Sequence, residues 1–248
     1  MNALLGATAL WFALGTGALA LCCALPLGAG TGRRAGSSLR HVRRAAPLLL
    51  ALAALAAIGA WGILGAALWQ HDLQLRYVAE WSSVLVVPRQ TLAALAAGDL
   101  GVRFTWSVAL AVVALGVAMH ALWPADESAP RRATPVASHS TLVTLVAAAL
   151  VAALVSVLTR GTPFALLPTI PPDGRGLPPT LQHPLATVQP LLQLLGFAAA
   201  LLPLAHLAAA IIDGAPATQW RDAVRRALRR AWLLQTVAIA AGALWAQQ

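Results

Sequence analysis

Residues 159–196 read TRGTPFALLPTIPPDGRGLPPTLQHPLATVQPLLQLLG. Seven prolines between Pro163 and Pro184 remove backbone donors and fix φ, so this part forbids a long helix and takes an extended, turn-rich path. From Thr187 the character changes, and apolar residues continue to Ile212 without an Asp, Glu, Lys or Arg. That is enough for a helix across a bilayer core, which takes about 20 apolar residues. A polar loop feeding directly into an apolar span belongs to a membrane protein.

Working outward, uncharged stretches of this kind recur at roughly 3–27, 47–69, 104–123, 140–158, 187–212 and 232–246. With 59% hydrophobic and 10% charged residues, the chain carries more apolar surface than one soluble core buries. The expectation is an all-α integral membrane protein. A single polytopic domain over residues 1–248 would form a bundle of about six transmembrane helices, with two long outward loops and a cytoplasmic amphipathic helix. The first span has no basic residue before it, and its apolar run is too long for a signal-peptide core; it is expected to be retained.

All seventeen basic residues are Arg, and the net charge is +9. Their placement says more than their number. Arg33, Arg34, Arg40, Arg43 and Arg44 follow the first span, Arg131 and Arg132 the third, and Arg221, Arg225, Arg226, Arg229 and Arg230 the fifth. The positive-inside rule puts these loops in the cytoplasm and both termini outside. Nucleic acid is not an expected partner; membrane lipid is. In ATQWRDAVRRALRRAW, residues 217–232, Trp220, Val224, Ala227, Leu228 and Ala231 recur at helical spacing opposite the arginines, the pattern of an amphipathic helix lying on anionic lipid.

The two outward loops, about 70–103 and 159–186, exceed the length at which structureless loops tend to be functional. Chemistry-bearing residues are sparse. No nucleophile sits beside a base, no Gly-rich phosphate loop appears, and Asp126 and Glu127 read as solvated charge opposite Arg131 and Arg132. No site is assigned as catalytic or metal-binding. The adjacent Cys22 and Cys23 lack zinc-ligand or CxxC spacing and read as small packing residues. Of the six histidines, His71 and His183 fall on the outward side. His206 lies inside an apolar helix, where a polar side chain faces the bundle interior or snorkels. These three are the weak candidates for heme ligation.

Three stretches, in order, carry a resemblance: HDLQLRYVAEWSS at 71–83, TRGTPFALLPTIPPDGRGLPPTLQHP at 159–184 and GALWAQQ at 242–248. With the spacing of the spans they resemble the heme lyase family of cytochrome c biogenesis, cytochrome c maturation protein F, over about 50–248. The resemblance covers the N-terminal half of that family and stops short of its Trp-rich heme segment. It implies that Arg76, Tyr77, Asp173, Gly174, Gly176, Gln182 and Pro190 belong to loop or partner surfaces. It also implies a departure. In VQPLLQLLGF, residues 188–197, Gln189 stands where the family has an axial heme His, and an amide is a poor heme ligand beside imidazole. The glycine-rich segment before the third helix is reduced to LAAGDLGVRFTW at 95–106. The implied function is a membrane subunit of cytochrome c biogenesis in the bacterial cytoplasmic membrane. It would scaffold a separate chain bearing the Trp-rich heme domain, with apocytochrome c as a further partner. It is not expected to be catalytic or to carry a cofactor alone, heme being a matter for the complex. The alternative is a structural subunit of another membrane complex with no heme role.

Overall fold

The computed structural model describes residues 1–25, 37–123 and 136–247. Arg33, Arg34, Asp126, Glu127, Arg131 and Arg132 lie outside the described residues, as do the side chains of Arg40, His41 and His139. Among the described residues eight α-helices follow one another: α1 (Asn2–Ala24), α2 (Ser37–Trp69), α3 (Arg76–Trp81), α4 (Pro88–Thr91), α5 (Gly98–Leu122), α6 (Val136–Arg160), α7 (Pro184–Ile212) and α8 (Ala217–Ala246). Single 3₁₀ turns occupy Leu92–Ala96 and Pro179–Leu181. Five of these, α1, α2 from Val42, α5, α6 from Ser140 and α7, are long and apolar enough to cross a membrane. The chain is an all-α, multi-pass membrane protein.

Four spans close into a ring, α1 packing on α2 and α6, and α5 on α2 and α6. The seam is built mainly from small side chains. On α2, Leu50, Ala53, Ala54, Ala57, Ala60, Leu64, Ala67 and Leu68 recur at helical spacing and are fully buried. Small residues allow the close backbone approach that drives helix association where lipid is as apolar as Leu. Trp11, Phe12 and Leu19 point outward from α1, as a lipid-facing surface requires. α7 leans on α5 and α6 from outside the ring, and α8 packs on α7. Pro47, Pro190 and Pro203 sit inside helices, a placement that membrane bundles tolerate because neighbours satisfy the freed carbonyls.

The C-terminal region differs from expectation. Residues 232–246 are not set apart from the Arg-rich helix that precedes them. They are the second half of α8, a single helix of 30 residues whose first half is the Arg-rich stretch, and α8 is not among the five helices apolar enough to cross by composition. No Gly or Pro interrupts 217–241, so nothing breaks the hydrogen-bond ladder between the two halves. Its buried positions, Ala227, Ala231 and Ala238, keep one stripe against α7 throughout. The connecting turn is a helix C-cap, with Ala215 N donating to Ala210 O at 2.9 Å and Gly214 at φ 63°.

Both long loops gather at one end of the bundle. Asn2 Nδ2 donates to Asp72 Oδ2 at 3.1 Å there. At the opposite end Ser140 Oγ donates to Ala24 O at 3.0 Å and Thr141 Oγ1 to Asp213 Oδ1 at 2.9 Å. The described arginines of α8 lie toward this second end.

Candidate functional site

The loops form a cap of two layers. In the upper layer α3 lies beside the Pro-rich segment, and the two join in a short antiparallel bridge at Leu75 and Leu166. Arg76 N donates to Ala165 O at 2.8 Å and Leu167 N to Gln74 O at 2.9 Å. Farther along, Arg175 N reaches Ala79 O at 2.8 Å and Gly176 N reaches Ser82 O at 3.0 Å. Asp173 fastens this edge. Its Oδ2 accepts from Ser83 Oγ at 2.7 Å, and its Oδ1 from Val84 N at 2.9 Å and Gly174 N at 2.7 Å. The Val84 N–H first, then the Ser83 hydroxyl, holds the carboxyl below the usual carboxylate range, with the Gly174 N–H and His71 adding. A Cβ at Gly174 would run into Ser82 O, so only glycine lets the loop backbone come this close.

Beneath lies a turn that dips into the bundle, α4 and the 3₁₀ segment Leu92–Ala96, with Ala93, Ala94 and Leu95 buried. Buried carbonyls away from a regular ladder need donors. The fully embedded Tyr77 supplies one, its hydroxyl lying 2.6 Å from Ala94 O and 2.9 Å from Ala97 O. Burial, with Glu80 nearby, pushes the phenol well above its ordinary range against the opposing bond from Ala97. It is a permanent hydrogen donor. Trp61 Nε1 donates to Thr105 Oγ1 at 3.1 Å, and Thr105 in turn donates to Leu95 O at 2.7 Å. α5 meets Tyr77 at Gly101, where any Cβ would overlap the phenol oxygen. The reduced segment at 95–106 is therefore a packed floor for the cap.

The expected site residues divide sharply. Tyr77, Asp173, Gly174, Gly176 and Gln182 are internal fastenings, the last donating from Nε2 to Leu177 O at 2.8 Å. Pro190 is within α7. Arg76 is exposed and, with Glu80, Arg175 and Leu166, borders an open cleft of about 660 Å³ between α3 and the Pro-rich loop. His71 ends α2 with φ 54° and its Nδ1 lies 2.7 Å from Ser82 Oγ. His183 caps α7, Nδ1 accepting from Leu185 N at 3.1 Å; a neutral ring that accepts there carries its proton on Nε2. Gln189 donates from Nε2 to Gln193 Oε1 at 3.4 Å and lies against Gly242 of α8. His206 is remote, at the other end of the bundle, with Nδ1 2.8 Å from Leu202 O. Sequence reasoning overlooked Thr105, Trp61 and Ser83. A polar Thr105 near the start of an apolar span was the one available signal.

No family model matches the chain. Over 96 residues, 39% of this chain, it is 35% identical to the cytochrome c-type biogenesis protein ccl1 of Rhodobacter capsulatus, a stretch that is 15% of that protein. A solved structure, Cytochrome c Heme Lyase CcmF, matches 99% of this chain and 36% of its own chain with a TM-score of 0.73, at 24% identity. At that identity the likeness shows the fold alone. These 248 residues span well under half of either protein. The chain is thus similar, over a partial stretch of sequence, to a cytochrome c-type biogenesis protein, and it shares the fold of a solved heme lyase.

Proposed function

We propose that the chain is a membrane subunit of cytochrome c biogenesis whose cap docks a separate membrane chain bearing a Trp-rich heme-handling segment, with apocytochrome c as the onward partner. The observation that carries this is the cap itself. A bundle with few ionisable groups spends Asp173, its one tyrosine and Gly174 on fastening an outer layer, and leaves Arg76, Glu80 and Arg175 around an open cleft. The fold match and the partial sequence relationship supply the biogenesis context. The membrane is the bacterial cytoplasmic one, with the cap and both termini outward, because the arginines of α8 and Arg43 and Arg44 crowd the opposite end.

The cap's own residues do not supply a pair of axial heme ligands. His183 presents a protonated Nε2 while it caps α7, Gln189 offers an amide held by Gln193, and His71, with Nδ1 against Ser82, leaves a single imidazole nitrogen, Nε2. Heme therefore enters through the partner, and the role of this chain is to hold that partner in place. The reading is tested by affinity purification of the chain from its native membrane, with identification of co-purifying chains and an absorption spectrum of the complex and of the chain alone. A heme-bearing multi-span partner is expected, with no stoichiometric heme band on the isolated chain. A bis-histidine spectrum lost in His71→Ala or His183→Ala would overturn the reading. Gln189, turned inward onto α8, is the observation that favours the second reading, a structural subunit of another complex; co-purifying chains without heme would support it.

A further inference from the structure

At the end of the bundle opposite the cap, α5, α6, α7 and α8 leave a cleft of about 430 Å³, within the size range of small-molecule sites, about 300–1,000 Å³. Its polar side chains are all basic or imidazole: Arg226 and Arg230 from α8, His206 from α7 and His120 from α5. No carboxylate is among the residues lining it. Arg226 and Arg230 are one turn apart and so share a helix face. The Leu202 carbonyl can only accept, so His206 Nδ1 carries a proton and Nε2 is left for whatever fills the cleft. The remaining walls are apolar, with Val113 and Val117 of α5, Leu142 of α6 and Leu202 of α7. Along α5 the lining runs from Val112 to His120, about 12 Å of helix, apolar at depth and polar at the helix end. That gradient matches a molecule with an anionic head and a hydrocarbon tail.

We propose that this cleft is a binding site for an anionic phospholipid, its phosphate held by Arg226 and Arg230 and one acyl chain lying along Val113 and Val117. Paired guanidinium groups suit a phosphate by charge and geometry. The apolar wall selects a lipid over a free anion. This differs from diffuse attraction of a basic helix to a charged surface, because Arg225 and Arg229 of the same helix do not line the cleft.

The full chain, purified in mild detergent, is titrated with phosphatidylglycerol, phosphatidylcholine or inorganic phosphate and read by native mass spectrometry and thermal shift. One saturable phosphatidylglycerol per chain is expected, with phosphatidylcholine displaced. The pair Arg226→Gln and Arg230→Gln should weaken retention about tenfold or more, while Arg225→Gln with Arg229→Gln leaves it within about twofold. Gly116 lines the cleft, and a Cβ there meets nothing within 4 Å, so Gly116→Leu should fill the space and weaken lipid retention in a folded protein. Equal losses from the two Arg pairs, inorganic phosphate competing as well as the lipid, or lack of saturable binding would each overturn the proposal.

Discussion

Tyr77 delivers one hydroxyl hydrogen to two buried carbonyls, Ala94 O and Ala97 O, in a layer that water does not enter. Removing it takes one bond from each, although Ala94 O keeps Ala97 N at 2.9 Å, at a cost of about 0.5–1.5 kcal/mol. Tyr77→Phe is therefore expected to lower the thermal midpoint in detergent and to speed hydrogen exchange over 92–97, and an unchanged exchange pattern would refute the role. Asp173 acts on the other layer. Because its folded-state pKa is depressed, its fastening is complete above the ordinary carboxylate pKa of about 3.9 and is lost as pH falls through the lower folded value. Exchange at Val84 and Gly174 should rise below about pH 4 in the native chain, and Asp173→Asn should remove that pH dependence. Tyr77 and Asp173 were legible in the sequence as residues of interest. Their inward use was not, because the acceptors lie 17 and 20 residues from Tyr77 and the donors 89 and 90 residues from Asp173.

At the scale of elements, the apolar spans could be read because length and composition alone set them, and the prolines of 163–184 forbade a helix where the structure has only a 3₁₀ turn. The dip at 88–97 could not. LAALAA at 92–97 has no period that separates helix from strand, and its burial depends on Tyr77, Thr105 and Trp61 arriving from three other segments. α8 misled for a different reason. Its arginines drew a boundary in hydropathy, whereas the small residues Ala227, Ala231, Ala238 and Gly242 continue one stripe with no breaker before Gly242. The α7–α8 seam also carries a defect: Gln235 Oε1 is buried near Gly196 with no hydrogen-bond partner among the described residues. Gln235→Met should raise stability by about 1 kcal/mol by removing an unsatisfied acceptor, measurable as a higher midpoint of thermal unfolding. A drop would mean that the amide has a partner in the membrane.

For the whole molecule, the separation of cap from arginines sets a direction across the bilayer. It can be checked with single cysteines after Cys22 and Cys23 are replaced. Thr169→Cys, exposed in the cap, should react with a membrane-impermeant maleimide in intact cells, and Arg229→Cys only after the membrane is broken. The reverse pattern would invert the topology. The ring of α1, α2, α5 and α6 also imposes an order on synthesis. α1 is followed at once by α2, yet its second neighbour in the ring is α6, where Gly17 awaits Val151 and Ala24 awaits Ser140. Until residue 160 has left the ribosome, one flank of α1 has only lipid or the insertion machinery to face. The hairpin of α7 and α8 then joins a ring already shut, so its late docking can fail without opening the four helices it leans on.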